Sequence, residues 1–219
     1  MHKVERIEEP AILLINKMQW TKQLLEQIEI CGDYKSVDKQ YKERYRTQQV
    51  KAALQKMYKG LCCYCEYMLD ISDYSHIEHL KPKCRPEFHK LTFEWDNLHL
   101  ACNRCNNNKG DKWDEQRPFI DPTKEEPTEF IVYDDLGYAK AVHDNLRGQF
   151  LIDSVQLNRA GLLKGRRIVI IQLLKHFDEV ETIQGVQAVC EHYERLIEEG
   201  VSFCTIFRNF IEKYKNIHK

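Results

Sequence analysis

The sequence predicts an α+β chain, mostly helical, with a small ββα unit built around a metal at its centre. Three observations predict it. Two Cys-x2-Cys pairs, Cys62 with Cys65 and Cys102 with Cys105, stand mid-chain with 36 residues between them. Long segments with apolar residues at helical spacing lie on both sides of these pairs. The middle itself, residues 60–117, is dense in Cys, Asn and charged residues and short of periodic segments. A metal has to supply there what so small a core cannot.

The elements follow in order. Residues 1–59 form a helical N-terminal region. Its first helix is expected over Ala11–Ile30, where Ile12, Leu13, Ile15, Met18, Leu24, Leu25 and Ile28 repeat at helical period. Pro10 suits the first turn, and Gly32-Asp33 makes a break. A second helix is expected from about Tyr41 to Tyr58, with Tyr45, Val50, Ala53, Leu54 and Met57 inward and Gly60 at its end. Within residues 60–117 a short hairpin carries Glu78 and His79, and a helix starts near the second cysteine pair. Residues 118–219 form a third region, a hairpin followed by helices. Asp121–Pro127 reads as a turn, and Phe130–Tyr133 with Tyr138–Val142 as the hairpin. Leu157–Phe177, Val186–Glu199 and Phe203–Tyr214 each carry an apolar stripe on a charged surface.

Composition narrows the class. A 219-residue chain with 42% hydrophobic and 11% aromatic residues buries a core. It has no apolar run of about 18 residues, so no membrane-spanning helix is expected. Met1-His2-Lys3-Val4-Glu5-Arg6 leads into no signal-like stretch, which points to a cytoplasmic protein with reduced thiols. The net charge is −1. An autonomous nucleic-acid binder draws its affinity from Lys and Arg, so either the basic face is small or a partner helps to hold the substrate.

Two Cys-x2-Cys pairs complete a tetrahedral four-thiolate site, the donor set of structural zinc. Cys63 has the wrong spacing to Cys65 for a knuckle, and Cys31, Cys84, Cys190 and Cys204 read as ordinary buried thiols. Between the pairs lie Ile77-Glu78-His79-Leu80 and Trp95-Asp96-Asn97-Leu98. Hydrolysis of a phosphodiester needs a nucleophilic water, a base for its proton and a cation for the developing charge. His79 is a suitable base, because imidazole titrates near neutrality. Glu78 is a hard oxygen ligand for Mg²⁺. Asn97 can fix the loop that orients His79, and Asn106 can offer a second oxygen to the cation. Neighbours in a strand point to opposite faces, so Glu78 and His79 serve one phosphate only if the strand bends or the site wraps around it. Basic residues near this insert are Lys81, Lys83, Arg85, Arg104, Lys109 and Lys112. Residues 76–117 nevertheless hold eight Lys or Arg against seven Asp or Glu, so a mixed solvated surface is an equal reading for any single one. Trp95 and Trp113 read as packing residues before base-stacking ones.

Cys62-x2-Cys65, Glu78-His79, Asn97-Leu98 and Cys102-x2-Cys105-Asn106-x2-Lys109-Gly110 together resemble an HNH endonuclease with zinc knuckles. The resemblance implies that His79 is the general base and Glu78 a ligand of the catalytic Mg²⁺ or Mn²⁺. It also implies that Asn97 orients the base loop and Asn106 is the last metal ligand. Lys81, Lys83, Arg104 and Lys109 are the expected nucleic-acid contacts. The family more often has Asp before the His and His at the last position. Glu78 and Asn106 both still offer oxygen. Phe119-Ile120-Asp121-Pro122 and Leu157-Asn158-Arg159 extend the likeness to the HNH subunit of Septu-type and retron-associated phage defence, the PtuB-like proteins. That likeness implies a DNA substrate and a partner ATPase of the ABC/SMC-like, PtuA-like kind. Two other readings stay open: a zinc-held module that binds a partner or nucleic acid without cutting, and a nuclease for RNA, whose 2′-hydroxyl has no evident reader here.

Overall fold

A computed structural model describes residues 1–69 and 75–217. The α+β class holds: the described residues include eight α-helices and two small antiparallel sheets. α1 (Ala11–Cys31) starts after Pro10 and ends at Gly32, whose φ of 82° lets its N–H return to Ile28 O at 2.8 Å. The expected second helix is split into α2 (Lys39–Lys42) and α3 (Gln48–Met57). Asp38 and Thr47 each cap a helix start, Asp38 through Gln40 N and Thr47 through Val50 N. Two caps in one stretch restart the helix, and the chain turns through residues 43–47 between them. That turn places Tyr45, expected on the inward face of a continuous helix, in the connection between α2 and α3.

β1 (Ser75–His79) pairs antiparallel with β2 (Leu98–Cys102), Ser75 opposite Cys102 and His79 opposite Leu98. Residues 80–97 join them with two short 3₁₀ turns in place of a tight hairpin. α4 (Asn103–Lys109) leaves β2 directly, which completes the ββα order. Arg6 reaches over from the N-terminal arm and donates to Trp95 O (3.0 Å), Asp96 O (3.1 Å) and Leu98 O (2.8 Å). Trp95 donates its indole N–H to Ile7 O at 3.0 Å and Trp113 packs edge-on against Phe88, so both tryptophans are packing residues.

β3 (Ile131–Tyr133) and β4 (Ala139–Ala141) form the expected second hairpin. α5 (Leu146–Ser154) is additional to the sequence reading. Asn145 starts it by accepting from Arg147 N and Gly148 N. Gly148 is required there, since a Cβ would stand 2.2 Å from Phe130 O. α6 (Ala160–Asp178), α7 (Ile183–Glu199) and α8 (Cys204–Ile217) follow. α6 begins three residues later than its apolar period does, so Leu157, Asn158 and Arg159 lie in a loop. One core runs through the chain: Leu13 and Leu24 of α1, Leu54 of α3, Leu98 and Leu100 of β2, Leu151 of α5 and Leu173 of α6 belong to it. Among the described residues no helix is long and apolar enough to cross a membrane. Cys190 and Cys204 are buried as expected, whereas Cys31 is exposed at the end of α1 and Cys84 is only half-buried.

Candidate active site and metal centre

The four knuckle cysteines converge. Cys62 and Cys65 lie in the tight loop after α3, whose Cys63 N–H bonds Leu100 O of β2 at 2.8 Å. Cys102 ends β2 and Cys105 sits one turn into α4. Their sulfurs all lie within 4.8 Å of one another, and all four thiols are free. This set can hold a metal ion. A second convergence, His2, Glu66 and Cys204, already spends its carboxylate internally, since the Thr205 hydroxyl and the Cys204 thiol both donate to Glu66.

A cleft of about 800 Å³ opens beside α4, lined there by Asn106, the residue after Cys105. Glu78, His79 and Asn106 all line it. The sequence pattern left open how Glu78 and His79 can share a face. His79 is the last residue of β1, and the lining of the cleft takes in the whole strand, Ser75 to His79. Glu78 is only 4% exposed. Its Oε1 forms an ion pair with Lys109 Nζ at 2.7 Å and accepts from the Tyr64 hydroxyl at 3.2 Å, and no described residue bonds its Oε2. Burial holds the Tyr64 phenol well above its ordinary pKa, so it remains a donor.

His79 is 5% exposed, and its Nε2 stands 3.0 Å from Thr92 O. A carbonyl oxygen only accepts, so Nε2 carries the hydrogen and Nδ1 keeps its lone pair. Burial, with the nearby charges of Lys83 and Lys109, pushes the imidazole well below its ordinary pKa and keeps it neutral. The Tyr45 ring packs edge-on against it at 4.6 Å. Asn97 closes the loop that follows. Its Oδ1 accepts from Lys81 N (2.8 Å) and its Nδ2 donates to Lys81 O (3.0 Å) and Leu91 O (3.2 Å). One buried amide thus clamps the backbone two residues past His79.

The four expected phosphate contacts divide. Lys83 lines the cleft. Lys81 lies outside the cleft lining, over the Phe88 and Trp113 rings, and Arg104 is exposed outside it. Lys109 is 1% exposed and spent on Glu78 and on His79 O (2.8 Å), so this structure does not bring it to a surface that a nucleic-acid backbone can touch. The packing of α4 on β1 turns the Lys109 amine inward, onto Glu78 and His79 O. Sequence reasoning left Tyr45, Arg46, Gln48 and Lys51 out of the site, yet they line the cleft as well. Their signal was the pair of helix caps that turns this segment toward the ββα unit.

Residues 62–112, the segment that carries the four cysteines with Glu78, His79, Asn97 and Asn106, match the model of the HNH endonuclease family. The ββα core is an HNH endonuclease domain. Its chemistry is that of a nuclease, a phosphodiester hydrolase. Beyond the domain, the chain is similar to the Septu protein PtuB of Bacillus mycoides (strain KBAB4), 26% identical over 80% of this chain and 70% of that protein. It is also similar to the Septu protein PtuB of Bacillus thuringiensis, 31% identical over 66% of this chain. That match spans about half, 52%, of the relative's length.

Proposed function

We propose that the chain is a metal-dependent endonuclease that cuts DNA in anti-phage defence, working with an ATPase subunit of the ABC/SMC-like kind. The observation that carries the enzymatic part is the single cleft that gathers a neutral imidazole, a carboxylate with a spare oxygen and an amide. His79 acts as general base: Nδ1 takes the proton of the attacking water while Nε2–H stays on Thr92 O. Glu78, through Oε2, and Asn106 hold a Mg²⁺ or Mn²⁺, which supplies charge stabilisation at the phosphoryl and leaving oxygens when bound. Asn97 is a positioning residue, because its bonds are to backbone and fix where β1 ends. Among the described residues, Arg46, Lys51 and Lys83 line the cleft against Glu78 as its one carboxylate, and they meet the phosphates beside the scissile one. The excess of cations there concentrates positive charge in a chain whose total is −1.

The four thiolates hold structural zinc. With Zn–S of about 2.3 Å, sulfurs at the corners of a tetrahedron stand about 3.8 Å apart, and Cys65 Sγ and Cys102 Sγ are 3.9 Å apart. Residues 60–117 are then the catalytic unit, with residues 1–59 supplying the basic wall and residues 118–219 bracing it. The defence role and the ATPase partner rest on the PtuB relatives, and a near-neutral chain suits a nuclease whose substrate is held partly by a partner. The test is nicking of plasmid DNA, and of RNA beside it, in Mg²⁺, with and without the partner. Cleavage of DNA that EDTA stops and His79→Ala removes is the expected result. Cleavage at the parental rate by His79→Ala would take His79 out of the role.

A further inference from the structure

Arg159 is placed where local rules do not want it. It is the N-cap residue of α6, and it makes no side-chain cap bond. Ser, Thr, Asp or Asn is the favoured type at that position, and a cation beside a helix N-terminus meets the positive end of the dipole. A residue that breaks a local preference is held by something else. Here the guanidinium turns away from its own helix and lies across the knuckle sulfurs. Nη1 and Nη2 both donate to Cys105 Sγ at 3.4 Å, and Nη2 reaches Cys65 Sγ at 3.7 Å and Cys102 Sγ at 3.8 Å. Among the described residues no other cationic side chain bonds these sulfurs.

We propose that Arg159 is a fifth member of the metal centre, compensating the charge of the thiolates and locking the start of α6 onto them. Four thiolates on a divalent ion leave a net charge of −2, and such charge on three buried cysteines and one half-buried one needs a compensating donor. A planar guanidinium sets its donors in a fixed fork across the sulfurs, whereas an ammonium is a point charge on a flexible stem. The loop around it is built for the same junction. Arg159 Nη1 also donates to Val155 O and Gln156 O, both at 3.2 Å. Asn108 of α4 donates to Val155 O at 3.3 Å, and Asn158 accepts from Ala139 N and donates to Ala139 O of β4. Residues 155–159 therefore join the knuckle, the second hairpin and α6. Loading the thiolates with metal fastens the C-terminal helices to the nuclease core, and losing it leaves the guanidinium without its counter-charge.

This inference rests on the thiolate-metal reading and not on cleavage. A chain that binds zinc normally and never cuts would sink the nuclease and leave Arg159 where it is. The test is zinc affinity of the full chain, by competition with a chromophoric chelator, for the parent, Arg159→Met and Arg159→Lys. Loss of a donor that orients metal ligands lowers affinity by about 10- to 100-fold, and that is expected for Arg159→Met, with Arg159→Lys between it and the parent. Substitution of Co²⁺ gives a second readout. Hydrogen bonds lower the energy of the sulfur lone pairs, so the sulfur-to-cobalt charge-transfer band should move to longer wavelength in Arg159→Met. If Arg159→Met does not fold, Arg159→Lys carries the test alone through the same two measurements. Parental zinc affinity with an unmoved cobalt band, in whichever variants fold, overturns the proposal.

Discussion

The sulfurs of Cys62, Cys65, Cys102 and Cys105 and the donors of Glu78, His79 and Asn106 hang on neighbouring pieces of one ββα unit, yet they differ in softness and in access. The sulfurs are four, mutually within 4.8 Å, and roofed by Arg159. The other set is of oxygen and nitrogen and opens on a cleft of about 800 Å³. A closed tetrahedron of soft donors has no position left for substrate, and an open set of hard ones has. On the proposed reading the unit separates an ion that would hold the fold from an ion that would meet the phosphate. β2 and α4 serve both, because Cys102 and Cys105 face one side of this corner while Asn106 faces the other.

Breaking the sulfur set should have the largest effect. Cys102→Ser is expected to lose the bound metal and about 4 kcal/mol or more of stability, which lowers Tm by ~10 °C at ~2–4 °C per kcal/mol. Elemental analysis and a thermal melt check both at once, and parental metal content with an unchanged Tm would dissolve the distinction between the two sets. Breaking the cleft set should spare the metal. His79→Ala is expected to slow cleavage by about 10²–10⁴-fold with zinc content unchanged, read on the same plasmid assay and the same elemental analysis.

Lys109→Met tests the inward role of a residue first expected on the surface. It leaves the Glu78 carboxylate buried without its cation, at a cost of about 3 kcal/mol, and chemical denaturation measures it. A fall in nucleic-acid affinity with unchanged stability would return Lys109 to the substrate. The smallest effect is with pH. Burial holds both His79 and His99 below their ordinary pKa of 6.5. The unfolded chain takes up both protons below about pH 6.5 while the folded one does not, so stability is level above that pH and falls as pH drops below it. The slope is at most about 1.4 kcal/mol per pH unit for each group. Denaturation midpoints across that range check the sign, and rising stability on acidification would contradict a neutral His79.

Much of this was legible in the sequence, for reasons that differ by residue. The Cys-x2-Cys spacing fixes a knuckle because two sulfurs at that separation can reach one ion wherever the loop goes. The Glu78-His79 pair and Asn106 were readable from donor type, and α1, α7 and the β3–β4 hairpin from apolar period and turn residues. The split of the second helix was readable in principle, since Asp38 and Thr47 are capping residues, but a continuous apolar period outweighed them. α5 went unread because one capping asparagine before nine residues makes a weak signal against the hairpin next to it.

Other features belong to the tertiary structure alone. Spacing says that Lys109 is three residues past Asn106; only the packing of α4 on β1 turns its amine inward to Glu78. No local pattern links Tyr45 to His79, 34 residues away, or Arg159 to Cys65, 94 residues away. Short-range chemistry, the type and spacing of donors, is written along the chain and was determined by the sequence. The direction in which each donor points depends on which elements meet, and burial and charge act only after they have met.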